Sequence, residues 1–326
     1  MDKIRWAILA TGGIAASLAD TIASMPDGEV IAVGSRSEET ARAFAARHGI
    51  PRWYGSYDEA AQDPDVAAVY VATTNDLHHD NVLAAVAAGK AVLNEKPFAL
   101  GASQAEAMIA AASDAGVFLM EAMWMRFQPY FTDLKRLISD GVVGDVRWVQ
   151  ADFGFPGDPK TQQRLFDPAL GGGGLLDLGV YPLTFATTLL GMPTEFRVLD
   201  TPAESGVDAQ LGIVLRHHGN ALSMSSTSLI ADLSGEATVG GTTGRIRVHA
   251  PFHHSQRLTI HRRGDQVEEI DASYEGSGYQ FEVAEVHRCL REGLTESPVM
   301  PLSHSLAMMR LLDDIRAEIG LRFRGG

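Results

Sequence analysis

Between residues 4 and 120 the chain repeats one pattern: a short apolar run without polar alternation, then a longer stretch with helical spacing. The runs are Ile4 to Ala10, Val30 to Gly34, Ala67 to Ala72, Ala91 to Asn94 and Val117 to Met120. The helical stretches are Ile14 to Met25, Glu38 to His48, Asn81 to Ala88 and Ala102 to Ala115. A strand that is apolar on both sides must be covered on both faces, which is the condition of a parallel sheet. Right-handed crossovers then make it a doubly wound, Rossmann-type α/β domain.

After Met123 the texture changes. A helix is expected over Tyr130 to Asp140, ending at Gly141, followed by an alternating strand over Val146 to Phe155. Further strand patterns cover Val207 to Leu215, Leu222 to Ser228, Glu236 to Val239, Arg245 to Val248 and Leu258 to Arg262. His218-Gly219-Asn220 and Arg263-Gly264-Asp265 read as turns between them. Helices over Tyr279 to Glu292 and Leu302 to Gly320 close the chain. Successive strands with helices at the ends imply an open antiparallel sheet in an α+β domain. At 326 residues the chain exceeds one ordinary core. The expected division is a dinucleotide-type domain over 1–123 and a substrate-binding and dimerisation domain over 124–326.

Asp and Glu total 41 against 27 Lys and Arg, a formal net charge of −14. That field repels nucleic acid and anionic membrane surfaces, so neither is an expected partner. Cys289 is the only cysteine, which excludes an internal disulfide and a thiolate metal cluster. The pairs His78-His79, His217-His218 and His253-His254 diverge as neighbours and give no metal-ligand spacing, so no metal is expected. The first residues lack the apolar core of a signal peptide and nothing later reads as a membrane span; the expected location is the cytoplasm.

The first strand runs into Ala10-Thr11-Gly12-Gly13-Ile14-Ala15. Against the dinucleotide fingerprint Gly-x-Gly-x-x-Gly/Ala, Gly12 and Ala15 match, while Ala10 replaces the first glycine and implies a turn that tolerates a methyl. A bare Gly12 lets backbone approach a pyrophosphate at a helix N-terminus. An NAD site typically places Asp or Glu after the second strand to bind the ribose 2′-hydroxyl. Here the residues are Gly34-Ser35-Arg36-Ser37, and Arg36 can clamp a 2′-phosphate that a carboxylate would repel. NADP is therefore favoured over NAD. The alternative for this segment is a surface arginine beside a helix N-cap serine.

Three further segments carry a family resemblance: Thr73-Thr74-Asn75-Asp76-Leu77-His78, Asn94-Glu95-Lys96-Pro97-Phe98, and Gly171 to Gly174 followed by Leu175-Leu176-Asp177-Leu178-Gly179-Val180-Tyr181-Pro182. Together they resemble the glucose–fructose oxidoreductase/inositol dehydrogenase (Gfo/Idh/MocA) family over the whole chain. Tyr181 stands where most members have His, and with Glu121 to Phe127 and Arg164 to Pro168 it is similar to the subgroup of dimeric dihydrodiol dehydrogenases and NADP-dependent D-xylose dehydrogenases. The resemblance implies Lys96, Asp177 and Tyr181 as the catalytic set. It implies cofactor contacts from Thr11, Gly12, Gly13, Ile14, Ser35, Arg36, Ser37, Thr73, Thr74, Asn75, Leu77, His78, Glu95 and Lys96, with Trp124 and Arg126 near the domain boundary. Trp124, Phe155, Arg164 and Tyr279 are the substrate-facing candidates.

The residue types suit the chemistry. Oxidising an alcohol moves a hydride to nicotinamide and a proton to a base within hydrogen-bond reach. A free phenol titrates near pH ~10, and an ammonium such as that of Lys96 favours the phenolate. Asp177 could orient Lys96 or the substrate. If 177 to 181 is helical, Asp177 and Tyr181 share a face at i and i+4, and Pro182 demands a kink or a helix start. The expected activity is NADP-dependent hydride transfer with a sugar or trans-diol, in a homodimer formed through the open sheet. A nucleotide-sugar ketoreductase and a non-catalytic cofactor sensor are the alternatives.

Overall fold

The computed structural model describes residues 2–264 and 266–321; the expected turn at Arg263-Gly264-Asp265 therefore lies partly outside the described residues. The chain forms two compact units. Among the described residues, one comprises 2–124 with Gly276–Arg310, the other Met125–Glu275 with 311–321.

In the first unit the elements are β1 (Ile4–Leu9), α1 (Gly13–Ser24), β2 (Gly28–Gly34), α2 (Glu38–His48), β3 (Arg52–Tyr54), α3 (Tyr57–Ala61), β4 (Ala68–Val71), α4 (His78–Ala87), β5 (Ala91–Glu95), α5 (Ala102–Ala115) and β6 (Leu119–Ala122). The six strands pair in parallel in the order β3-β2-β1-β4-β5-β6, the doubly wound arrangement with its switch point between β1 and β4. Trp6 to Leu9, Val69 to Val71 and Val92 to Leu93 are buried, as strands covered on both faces must be. The short pair β3 and α3 was not legible in sequence. Arg52, Trp53 and Tyr54 are not apolar-run residues, and β3 is held by Arg52 and Tyr54 bonding to Asp63.

In the second unit come α6 (Pro129–Ser139), β7 (Val146–Gly154), α7 (Gln163–Phe166), α8 (Val180–Leu190), β8 (Pro193–Pro202), β9 (Asp208–His217), β10 (Leu222–Ser228), β11 (Ala237–Gly241), β12 (Gly244–Val248), β13 (Arg257–Arg262) and β14 (Val267–Asp271). They form one sheet in the order β14-β13-β12-β11-β7-β10-β9-β8. One pair departs from the expected antiparallel pattern: β7 and β10 run parallel, with Trp148 opposite Leu222. Parallel neighbours need a long crossover, and α8, β8 and β9 all lie between them in the chain. Along β9, Ala209, Leu211, Ile213 and Leu215 turn inward while Val214 and Arg216 face out.

The closing helices are α9 (Gln280–Arg291) and α10 (Leu302–Glu318). Helix α9 belongs to the first unit, where His287 accepts from the Trp6 indole at 3.1 Å and Arg291 pairs with Asp27 at 2.7 Å. The reading that no segment approaches a membrane span needs correction. Pro168–Leu190 is long and apolar enough by composition, with mean hydropathy 1.2, but 83 % of that window is buried inside the protein. Its apolarity is that of a core helix: every residue from Val180 to Thr187 is buried.

Candidate active site

The turn after β1 keeps the geometry the dinucleotide fingerprint requires. Ala10 adopts φ 119°, a conformation natural to glycine, so the methyl is accommodated with backbone strain and not through a different turn. Gly12 caps α1 without a side-chain acceptor, and the first turn carries no acid, so the helix N-terminal amides face outward uncompensated. No protein atom lies within 4 Å of a Cβ built at Gly12 or Gly13. The protein's own packing thus gives no reason for glycine there, whereas a closely approaching pyrophosphate does. Thr11 and Ile14 flank these positions in the same turn.

At the end of β2, Ser35 is buried and its hydroxyl bonds to Thr40 Oγ1 at 2.7 Å, while Ser37 caps α2 through the Thr40 N–H. Both serines are thus engaged locally. Arg36 is exposed and hydrogen-bonds to the side chain of Tyr57 on α3, whose phenol burial pushes up while the guanidinium pulls it down. Tyr57 was missed because it belongs to the unforeseen element α3.

Beyond β4, Thr73 and Thr74 lead into a 3₁₀ turn over Asn75–Leu77. His78 opens α4 fully buried, with Nδ1 2.8 Å from the Pro97 carbonyl and Nε2 3.3 Å from the Thr73 carbonyl. It therefore ties the loop after β4 to the loop after β5 that bears Lys96. Asn94 donates to the Glu95 and Phe98 carbonyls, and Glu95 Oε2 accepts the Lys96 N–H at 3.1 Å. Tyr70 donates to Glu95 Oε1. Lys96 is half-buried on a backbone held at several points. In the same unit Trp124 stacks on Tyr279, ring centroids 4.3 Å apart.

Glu282, in the first turn of α9, is wholly buried with neither carboxyl oxygen hydrogen-bonded. Burial, and then the neighbouring Glu95 charge, push its carboxyl far above the usual range. Burial likewise raises Tyr70, with Glu95 and Glu282 adding to it. Nothing in the local sequence around Glu282 separates it from an ordinary helix-start acid.

The second unit holds the remaining candidates. Leu175–Gly179 forms a π-helical turn that passes into α8 at Val180. Asp177 lies in the π turn and Tyr181 in α8, so the simple i, i+4 α-helical face does not describe them; the helix runs unbroken from the π turn through Pro182, which cannot donate to that ladder, and the π turn is the irregularity just before it. The glycines form the tight approach. Gly171 and Gly173 have φ 72° and 123°, and a Cβ at Gly172 would lie 2.5 Å from the Arg164 carbonyl oxygen.

Asp177 is 2 % exposed and accepts from Arg164 Nη1 at 2.6 Å. Arg164, read as substrate-facing, is thus committed at least in part to orienting Asp177. Tyr181 is 7 % exposed among aromatic rings, Phe153 at 5.6 Å and His253 at 5.1 Å between centroids. Phe153 stacks on His253 at 4.5 Å and touches Phe155 at 6.3 Å. Arg126 is buried in this unit, and burial followed by its charge lowers the Lys135 ammonium. Phe153 and His253 were not singled out. The first reads as an alternating strand residue, the second as half of an adjacent His pair whose side chains diverge.

The comparisons with known proteins agree with this architecture. Residues 4–123 match the oxidoreductase family with a NAD-binding Rossmann fold, and residues 131–247 match the GFO/IDH/MocA C-terminal domain. The chain is 36% identical over 98% of its length, and 98% of the relative's, to trans-1,2-dihydrobenzene-1,2-diol dehydrogenase of Mus musculus. Its structure is similar to aldose-aldose oxidoreductase from Caulobacter crescentus (TM-score 0.88, 28% identity, 98% of each chain). It is also similar to a 3-ketoreductase from Actinomadura kijaniata complexed with NADP and TDP-benzene (TM-score 0.88, 26% identity, 97% of this chain and 98% of the other). Fold and matches define an oxidoreductase with a NAD-binding Rossmann domain. The chain belongs to the Gfo/Idh/MocA oxidoreductase family.

Proposed function

We propose that the chain is an NADP-dependent dehydrogenase that exchanges a hydride with a secondary alcohol or hemiacetal carbon of a sugar or trans-dihydrodiol. The observation that carries this reading is Tyr181, an acid/base-capable phenol buried among Phe153 and His253, four residues beyond an Asp177 held by Arg164. The names of the diol dehydrogenase and aldose-aldose oxidoreductase relatives support the substrate class.

The residues would divide the work as follows. Gly12, Gly13 and the α1 N-terminus would hold the pyrophosphate, and Arg36, set against Tyr57, the 2′-phosphate. When bound, the nicotinamide supplies the hydride acceptor or donor. Tyr181 takes the substrate hydroxyl proton in oxidation and returns it in reduction. Lys96, on the loop after β5, would supply the positive charge that stabilises developing oxyanion charge. Asp177 orients the polar groups about it. The aromatic rings of Phe153 and Phe155 offer an apolar wall to a diol or sugar ring.

A second reading, a ketoreductase for nucleotide-linked sugars, is favoured by the similarity to the 3-ketoreductase crystallised with TDP-benzene. Absorbance at the reduced-nicotinamide band separates the two, with NADP⁺ and a panel of aldoses, inositols and trans-diols. Reduction with one class supports the dehydrogenase. Silence across the panel, with NADPH binding intact by fluorescence, overturns it in favour of the ketoreductase.

We also infer a homodimer through the outer face of the second unit's sheet, where Met224 and Val214 are exposed directly opposite one another. A monomeric mass by light scattering at micromolar concentration removes that inference.

A further inference from the structure

The π turn that bears Asp177 rests on a second carboxyl group. Asp208, at the start of β9, is 2 % exposed, and its Oδ2 accepts the Leu175 N–H at 2.6 Å. Leu175 is the first residue of the turn. A Cβ at Gly173 would stand 2.3 Å from Asp208 Oδ1, and one at Gly174 3.2 Å from Oδ2, so both glycines are bare because this carboxyl lies against them. From its other side Gly174 is held by Thr227, whose hydroxyl donates to its carbonyl at 3.3 Å. Asp177 in turn donates its backbone N–H to the Gly173 carbonyl at 3.2 Å. The path from Asp208 to Asp177 is therefore one glycine turn.

The charges that act on Asp208 are Asp177 from the π turn and Asp200 from β8, both acidic. Arg164 binds Asp177. Two carboxylates in one buried site do not both ionise readily. Burial first, and then the Asp177 and Asp200 charges, push the Asp208 carboxyl up to about 7 against the pull of the Leu175 amide.

We propose that Asp208 is the positioning residue of the site: as a neutral acid it clamps the Leu175 amide over the bare glycines, so that the turn carries one negative charge, at Asp177, and not two. This rests on the reading that Asp177 and Tyr181 act in turnover. A neutral carboxyl still accepts the amide through its carbonyl oxygen. Loss of its proton leaves the clamp in place but sets a second charge beside Asp177, which weakens the orientation imposed by Arg164.

Two variants and two readouts test this on the full chain. Asp208→Asn keeps the shape and the acceptor but cannot ionise; Asp208→Ala removes the acceptor. Turnover with NADP⁺ and an active panel compound is followed from about pH 5 to about pH 9. Wild-type kcat should show a transition near neutrality that Asp208→Asn lacks, the Asn variant otherwise staying within several-fold of wild type. Asp208→Ala should lose about ten-fold or more in kcat with NADPH affinity unchanged. Unfolding midpoints are read over the same range. They should show wild type losing stability relative to Asp208→Asn as pH rises toward neutrality, whatever the enzyme's substrate.

An unfolding difference that stays flat with pH overturns the neutral-acid assignment. So does an Asn variant that keeps the wild-type pH transition, and an Asn variant as impaired at low pH as Asp208→Ala overturns the clamp. If Asp208→Ala does not fold, the Asn profile decides alone. Failure of the catalytic reading shows separately, as normal turnover in Tyr181→Phe with the Asp208 unfolding difference intact.

Discussion

Arg164 reaches Asp177 with a single 2.6 Å bond from Nη1 to Oδ1, and the two ends differ sharply in environment: the arginine side chain is 42% exposed, the aspartate 2%. A solvent-facing guanidinium thus anchors a buried carboxylate in the π turn before α8. Replacing Arg164 by Gln should leave that carboxylate less compensated. Stability should fall by about 1–2 kcal/mol in denaturant unfolding, discounted for the exposed arginine, with a larger proportional loss in kcat than in cofactor affinity. Equal small effects on both would mean that Arg164 serves only the surface.

Tyr181→Phe keeps the ring and its packing against Phe153 and His253 and removes only the hydroxyl. NADPH binding should be retained while kcat falls by about 100-fold or more. Near-normal turnover would refute the acid/base assignment.

Arg36 and Tyr57 meet beyond the end of β2, where the segment Gly34-Ser35-Arg36-Ser37 carries an arginine in place of an acid, and the Asp76 charge also acts on Tyr57. Arg36→Ala should weaken NADPH binding about ten-fold or more, the worth of charge-assisted bonds to phosphate, and leave NADH binding nearly unchanged. Matching losses for both cofactors would show that Arg36 does not read the phosphate.

Ala10 holds φ 119° in the turn after β1. Ala10→Gly should relieve a strain of about 1–3 kcal/mol, offset in part by the flexibility glycine adds to the unfolded chain. A net gain of about 1 kcal/mol in thermal or denaturant unfolding is expected. A loss of stability would mean that the alanine methyl is packed where it helps.

Glu282 has its folded-state pKa raised, by burial first and by Glu95 second. Its contribution is therefore whole below the ordinary carboxylate pKa and is lost as pH rises toward the folded value. Relative to Glu282→Gln, wild type should lose about 1.4 kcal/mol of stability per pH unit above the ordinary pKa for as long as the buried group keeps its proton. Paired urea titrations across the range measure the difference. Parallel curves would show that Glu282 is already ionised in the folded protein.

The sequence by itself determined the local elements that depend on near neighbours. Unpatterned apolar runs such as Ala67 to Ala72 can only be strands covered on both faces, and Ser37, Glu38 and Gly49 bound α2 through cap chemistry within a few residues. Thus five of the six parallel strands, all but β3, were legible, as were the turn after β1 and the loop of Lys96. What the tertiary structure decided depends on residues far apart in the chain. No spacing in Gln280–Arg291 says that α9 belongs with the first sheet; the Trp6–His287 bond across 281 positions does. No motif joins Asp208 to Gly173, Tyr57 to Arg36, or His253 to Tyr181, because hydrogen bonding, burial and desolvation act between side chains only after folding brings them together. The residue types named the chemistry; the packing around them assigns each its charge and its partner.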